Sequence, residues 1–243
     1  MAINTTTQQE AMKLQQEYQA ANGDQAKIQA IQEAYAKLMT DAQAKETELI
    51  KANPDSYVST FVIVSGMGQM EYEQLKERYN LLGEKAKASA QGKAIAAQIA
   101  KLESTAIGQI APNFTITTPE GESISLYDIK GKVKLIDFWA SWRGPCRGEN
   151  PHVVEIYKEY HPKGLEIFGV SLDNNKEAWV KAIADDGLVW KHGSDLKGWQ
   201  SAPAQLYSVS GIPHTVLLDE NNKIIAKNLR GDELKQKIAE LLK

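Results

Sequence analysis

The sequence predicts an α/β protein, a mixed central sheet flanked by helices, preceded by an all-α helical region. Two observations carry this. Composition changes midway: residues 5–104 are rich in Ala, Gln, Lys and Glu, with Pro54 as their single proline and no tryptophan, whereas all five Trp fall after residue 108. After that point β-branched runs alternate with amphipathic stretches, and the chain closes on a hairpin and a helix, the pattern of a mixed sheet covered on both faces. The shift puts a boundary near Thr105–Gln109. It divides the 243 residues into a helical region, 1–107, and an α/β domain, 108–243.

In the first half, Asp24 predicts the cap of a helix whose Ile28, Ile31, Tyr35, Leu38, Met39, Ala42 and Leu49 recur at three- and four-residue steps. Asn53-Pro54 ends it, because the residue before a proline is pushed out of the α region. Tyr72, Leu75, Tyr79 and Leu82 form a second stripe stopped at Gly83, and Ile95, Ile99 and Leu102 a third. The stripes read as helix-packing faces. Residues 57–64 (Tyr-Val-Ser-Thr-Phe-Val-Ile-Val) fit a strand or a buried helix equally.

In the second half, Phe114–Thr118 and Ser123–Leu126 flank Pro119-Glu120-Gly121 and predict a hairpin. Val133–Trp139 is an apolar strand interrupted by Asp137. Residues 146–160 predict a helix kinked at Pro151. Leu165–Leu172 reads as a strand, Lys176–Asp186 as an amphipathic helix closed by Gly187. His214–Leu218 and Lys223–Ala226 form a second hairpin around 219–222. Leu234, Ile238 and Leu241 mark a closing helix opened by Asp232.

Charge excludes some functions. With 28 Lys+Arg against 31 Asp+Glu the chain is close to neutral, so no global field draws it to nucleic acid. No apolar run reaches the roughly 18 residues of a membrane span. A single cysteine forbids an internal disulfide framework and a Cys-rich zinc site. His152, His161, His192 and His214 show no paired ligand spacing, so no metal and no cofactor is expected. The opening Met1-Ala2-Ile3-Asn4-Thr5 lacks the basic and apolar regions of a signal peptide, which fits a cytoplasmic protein or one whose leader has been removed.

The chemistry concentrates in Asp137-Phe138-Trp139-Ala140-Ser141-Trp142-Arg143-Gly144-Pro145-Cys146-Arg147-Gly148-Glu149-Asn150-Pro151. A buried strand runs through a Gly-Pro turn into a helix with Cys146 in its first turn. Helix-end amides together with Arg143 and Arg147 are expected to lower the thiol pKa. An inert buried cysteine is the other reading. The segment resembles the Trp-Cys-Gly-Pro-Cys active site of the thioredoxin superfamily. With its Glu-x-Pro continuation it is similar to the TlpA-like branch of exported or membrane-associated thiol–disulfide oxidoreductases, kin to AhpC/TSA proteins. Ile110-Ala111-Pro112-Asn113-Phe114 is similar to that branch's lead-in signature. Gly211-Ile212-Pro213 is similar to the loop whose cis-proline faces the active-site sulfurs. The helical half is similar to extensions of Bacteroidetes-type members.

The resemblance implies a thioredoxin fold, a periplasmic or exported location, and partners of two kinds: disulfide-containing or extended polypeptides, and a thiol donor protein. It also implies roles. Cys146 aligns with the covered, resolving thiol, Asp137 is a proton acceptor beneath it, and Glu149 assists proton transfer. Trp142, Ile212 and Pro213 line the substrate path. The residue at the attacking-cysteine position is Arg143, a natural loss or an introduced change, and with one thiol the dithiol cycle cannot close. Asp137 could instead pair with Lys132 or Lys134, and Glu149 could be a solvated first-turn acid. Two further functional readings stay open: a redox-inactive module that binds extended polypeptides, and a one-cysteine peroxidase. The peroxidase wants a Pro-x-x-x-Thr-x-x-Cys loop, and Arg143 stands where its threonine would be.

Overall fold

The computed structural model describes residues 2–22 and 24–243, with side chains from residue 6 onward. Met1, the start of the segment read for a leader, lies outside them. The chain forms two compact units, Met1–Ala97 and Gln98–Lys243, a division that falls ahead of the compositional shift.

The first unit is helical. α1 (Ala2–Ala20) and α2 (Gln25–Ala52) form a hairpin, and Asp24 caps α2 by accepting a bond from Lys27 N at 3.3 Å. The apolar stripe of α2 is less covered than its periodicity predicts. Only Ile50 is buried, and Tyr35 and Met39 stay open to solvent, because a two-helix hairpin shields just one side of each helix. Residues 57–64 resolve as helix within α3 (Tyr57–Gly66), despite their β-branched content. Ser56 caps its first turn, and the inward Ser59 and Thr60 hydroxyls donate to Asn53 O and Gln91 Oε1 at 2.6 and 2.5 Å. Tertiary hydrogen bonds here override local propensity.

α4 (Tyr72–Asn80), α5 (Glu84–Ala88) and α6 (Ala90–Glu103) follow. Tyr72, Leu75, Leu82, Ile95 and Leu102 are buried as the second and third stripes predict, and Ala86 is buried between them. Asp55 caps α5 from a distance, accepting from Lys85 N and Ala86 N at 2.9 and 3.2 Å.

The second unit holds one seven-stranded sheet, in the order β2-β1-β5-β4-β3-β6-β7. Its strands are β1 (Thr115–Thr117), β2 (Ser123–Ser125), β3 (Val133–Trp139), β4 (Leu165–Ser171), β5 (Lys191–Ser194), β6 (His214–Asp219) and β7 (Ile224–Lys227). β3, β4 and β5 run parallel, while the β1–β2 and β6–β7 hairpins add antiparallel pairs at either edge. α7 (Gly144–Tyr160), α8 (Lys176–Asp185), α9 (Ala202–Leu206) and α10 (Gly231–Leu241) complete the unit. This is the mixed sheet with flanking helices that the alternating pattern predicts. Pro151 lies inside α7, which continues through it to Tyr160.

Every residue of β3 is buried, including Lys134, whose ammonium donates to Asn222 Oδ1 and whose pKa burial pulls down. The lead-in segment is tied to this core by two phenols: Tyr127 Oη donates to Ala111 O at 2.9 Å and Tyr207 Oη to Pro112 O at 2.7 Å. Behind the sheet, His192 stacks on Trp190 and meets Trp139 edge-on, with ring centroids 5.8 and 5.6 Å apart. A Cβ at Gly169 would come within 2.2 Å of His192 Nδ1, so the imidazole fits only because position 169 has none. Burial drives its pKa down to about 3.

Gly83 gives a test of the first unit. A Cβ there would lie 2.3 Å from Asp55 Oδ1, the cap of α5. Gly→Ala at a compatible φ normally stabilises. Here Gly83→Ala should instead cost about 1–2 kcal/mol, the worth of a displaced cap. Gly68→Ala, which meets nothing within 4 Å, should stay within about 0.5 kcal/mol of the wild type in denaturant unfolding.

Candidate active site

The site forms where β3 ends and α7 begins. Buried Asp173 fixes the turn between them, accepting from Ser141 N and Ser141 Oγ at 3.0 and 2.5 Å and from Ser171 Oγ at 2.7 Å. Trp142 Nε1 donates to Leu172 O at 3.4 Å, leaving its ring half exposed and edge-on to Trp199, centroids 6.4 Å apart. Arg143 is the N-cap residue of α7. Its carbonyl accepts from Cys146 N at 3.0 Å, and Pro145 sits in the first turn, where its missing N–H costs nothing. The outer face of α7 is clamped to the end of α8: Arg147 makes a two-pronged contact with Asp186, Nη2 to Oδ1 at 2.7 Å, and Asn150 Nδ2 donates to Asp186 Oδ2 at 2.6 Å.

The sulfur of Cys146, the chain's one thiol, lies beneath this turn, and the residue is 1% exposed. Its pKa departs from the sequence expectation. Burial pushes the thiol up to about 11, and the Asp137 charge adds to the rise. The Ala140 backbone, Arg143 and Arg230 pull the other way but do not compensate. Helix-end charge lowers a pKa only where the thiolate retains some solvation, and here desolvation is the larger effect.

Asp137 occupies the middle of β3, opposite Gly169 on β4 and Thr215 on β6. Burial raises its pKa to about 7, Glu149 adds to the rise, and Arg230 opposes it. Neither Lys132 nor Lys134 is its partner: Lys134 turns to Asn222. Glu149 directs its carboxylate at the start of α10, where Oε1 accepts from Gly231 N at 2.7 Å. The Ile212–Pro213 bond is cis. Arg143 Nε donates to Ile212 O at 3.2 Å, and Arg230 Nη2 donates to Pro213 O.

The fold therefore gathers Asp137, Cys146, Glu149, Arg143, Trp142, Ile212 and Pro213 around one turn. Sequence reasoning missed Arg230, Trp199 and Asp173. Arg230 and Trp199 lie far along the chain in unremarkable segments. Asp173 carried a faint signal, an acid directly after a buried apolar strand. Among the described residues no group of three His, Cys, Asp or Glu could hold a metal ion.

The redoxin family model matches residues 106–242. The thiol-disulfide oxidoreductase ResA of Bacillus thuringiensis subsp. konkukian is 34% identical over 143 residues, 59% of this chain and 80% of that protein. The thioredoxin-like protein YneN of Bacillus subtilis is 39% identical over 120 residues, 48% of this chain and 68% of that protein. Among solved structures, the thioredoxin domain of a thiol-disulfide oxidoreductase from Bacteroides vulgatus aligns with TM-score 0.53 at 38% identity, covering 57% of this chain and 99% of that one. The C-terminal domain of a similar oxidoreductase from Bacteroides thetaiotaomicron gives 0.53 at 41%, covering 56% and 95%.

Two measurements follow from the buried pair. Iodoacetamide should alkylate native Cys146 at pH 8 about 100-fold or more below the rate of a free thiol, and denaturant should restore the rate. Alkylation at the free rate in the folded state would contradict the raised pKa. For Asp137, the folded carboxyl holds its proton up to about pH 7 while the unfolded one releases it near 3.8, so stability is lost as pH rises between the two. Asp137→Asn removes that loss. Its stability advantage over the wild type should grow from pH 4 to pH 8 and reach on the order of 4 kcal/mol, read by denaturant titration.

Proposed function

The chain belongs to the redoxin family and carries a thioredoxin-like thiol–disulfide oxidoreductase scaffold, and from that premise we propose that dithiol exchange is disabled in it at Arg143. The observation that carries this reading is the state of Cys146: the one thiol present, covered by the turn, with its pKa pushed up to about 11. A thiol so protonated at neutral pH neither attacks a disulfide nor, lacking a partner cysteine, releases one. In this reading residues 108–243 carry the function, and 1–107 are a separate helical region.

The remaining parts suit an intact cycle. A thiolate at position 143 would attack a substrate disulfide, expelling one substrate thiolate and forming a mixed disulfide. Cys146, giving its proton to Asp137, would attack the sulfur at position 143, close an internal disulfide and release the second substrate thiol. An acid with a pKa near 7 is suited to that transfer, because it is partly ionised at neutral pH. Burial raises the Asp137 pKa to that range, and Glu149, anchored on Gly231 N, adds to the rise. A thiol donor protein would then reduce the internal disulfide. Disulfide-bearing polypeptides are the substrates the family suggests.

A second reading is favoured by the exposed surface. Trp142 and Trp199 present a paired aromatic face, and Arg143, next to Trp142 in the chain, reaches the cis Ile212–Pro213 segment. Such a surface fits docking of an extended polypeptide without redox chemistry. The family resemblance also suggests an exported or periplasmic protein, which fractionation of expressing cells checks. Among the described residues, no helix is long and apolar enough to cross a membrane.

The native chain should show no disulfide reductase activity in an insulin-precipitation assay. Arg143→Cys should restore it, since Cys146 N and Arg143 O already close a turn at 3.0 Å, and residues so placed meet the roughly 4.4–6.8 Å Cα spacing of a disulfide. Adding Cys146→Ser should abolish turnover again. If Arg143→Cys forms the internal disulfide and still reduces nothing with any thiol donor, the oxidoreductase reading fails and the binding reading stands.

A further inference from the structure

Arg143 is an exposed side chain with a specific contact. Its Nε donates to Ile212 O, a residue 69 positions away. Ile212 lies between α9 and β6, outside every strand ladder, so its carbonyl has no sheet partner. A polypeptide laid antiparallel along Ile212 pairs with both its N–H and its carbonyl, and Pro213 offers no N–H to replace either bond. The guanidinium therefore sits on the hydrogen-bonding group that docking requires.

Of the other cations at the site, Arg147 is clamped by Asp186, while Arg230 donates to the Pro213 carbonyl. Arg143 likewise has no carboxylate partner among the described residues, and its contact is to a neutral carbonyl. A guanidinium bonds a carboxylate more strongly than a neutral carbonyl, often with two parallel bonds.

We propose that Arg143 is a latch over the docking edge, released by a carboxylate on the incoming chain, so that the site selects extended polypeptides bearing an acidic side chain. The proposal rests on the docking reading above. A neutral segment would have to displace the guanidinium from Ile212 O with nothing to exchange for it. An acidic segment draws the guanidinium onto itself and frees the carbonyl for its own N–H. The Trp142–Trp199 face then meets the apolar residues that flank the acid.

The test is a titration of the isotope-labelled full chain with two acetylated, amidated synthetic peptides, Ser-Thr-Val-Glu-Val-Thr-Ser and its Gln counterpart. The readouts are the Ile212 amide and Trp142 indole resonances. The wild type should bind the Glu peptide roughly tenfold more tightly than the Gln peptide, and added salt should erode the difference. Arg143→Ala should bind the Gln peptide roughly tenfold more tightly than the wild type does, and should no longer distinguish the two. Equal wild-type affinity for both peptides, or no gain by Arg143→Ala, overturns the latch while docking stands. If neither protein shifts either resonance with either peptide, the docking reading falls and the latch with it.

Discussion

β3 is hydrogen-bonded along both edges, to β4 and β6, and all seven of its residues are withdrawn from water. The rest of the site depends on that desolvation. It makes an acid in the strand expensive to ionise, so Asp137 holds a proton to near neutrality. It also extends past the strand's end to Cys146, where loss of solvation outweighs the pull of the Ala140 backbone, Arg143 and Arg230. The turn between strand and helix can be rigid because its polar groups are answered locally by Asp173. One strand in a dry environment thus determines which groups carry charge at the site and where the chain leaves the sheet.

Much of this was legible in the sequence because each element announced itself at its own period. The apolar run 133–139, the Gly-Pro turn and the Gly-Ile-Pro loop are local patterns, and the structure has them where they were read. β5 was not legible. Lys191-His192-Gly193-Ser194 contains no β-branched residue and is a strand only through pairing with β4 and β1. α3 erred toward the opposite ambiguity, since its β-branched residues are helical on account of bonds to Asn53 and Gln91.

The site shows the same division. Which residues meet was readable from motif order, whereas the sign of the Cys146 shift was not. A helix start and two arginines argue for a low pKa, and only the three-dimensional cover over the sulfur reverses the balance. Arg230 and Trp199 reach the turn from distant segments whose local sequence carries no functional mark. The contact of Arg143 with Ile212 O likewise exists only in the fold.

The imidazole of His192, wedged against Trp190 and Trp139, has a consequence for the molecule as a whole. Unfolding would expose it to water and let it take up a proton anywhere below its ordinary pKa of 6.5, whereas in the fold it resists protonation down to about 3. Asp137 does the reverse, shedding on unfolding the proton it keeps up to about 7. Between roughly pH 4 and 6.5 the two exchanges cancel, one proton gained and one lost. For these two groups, the unfolding equilibrium across mildly acidic conditions is proton-neutral, and acid lability is deferred to below pH 4, where His192 acts alone.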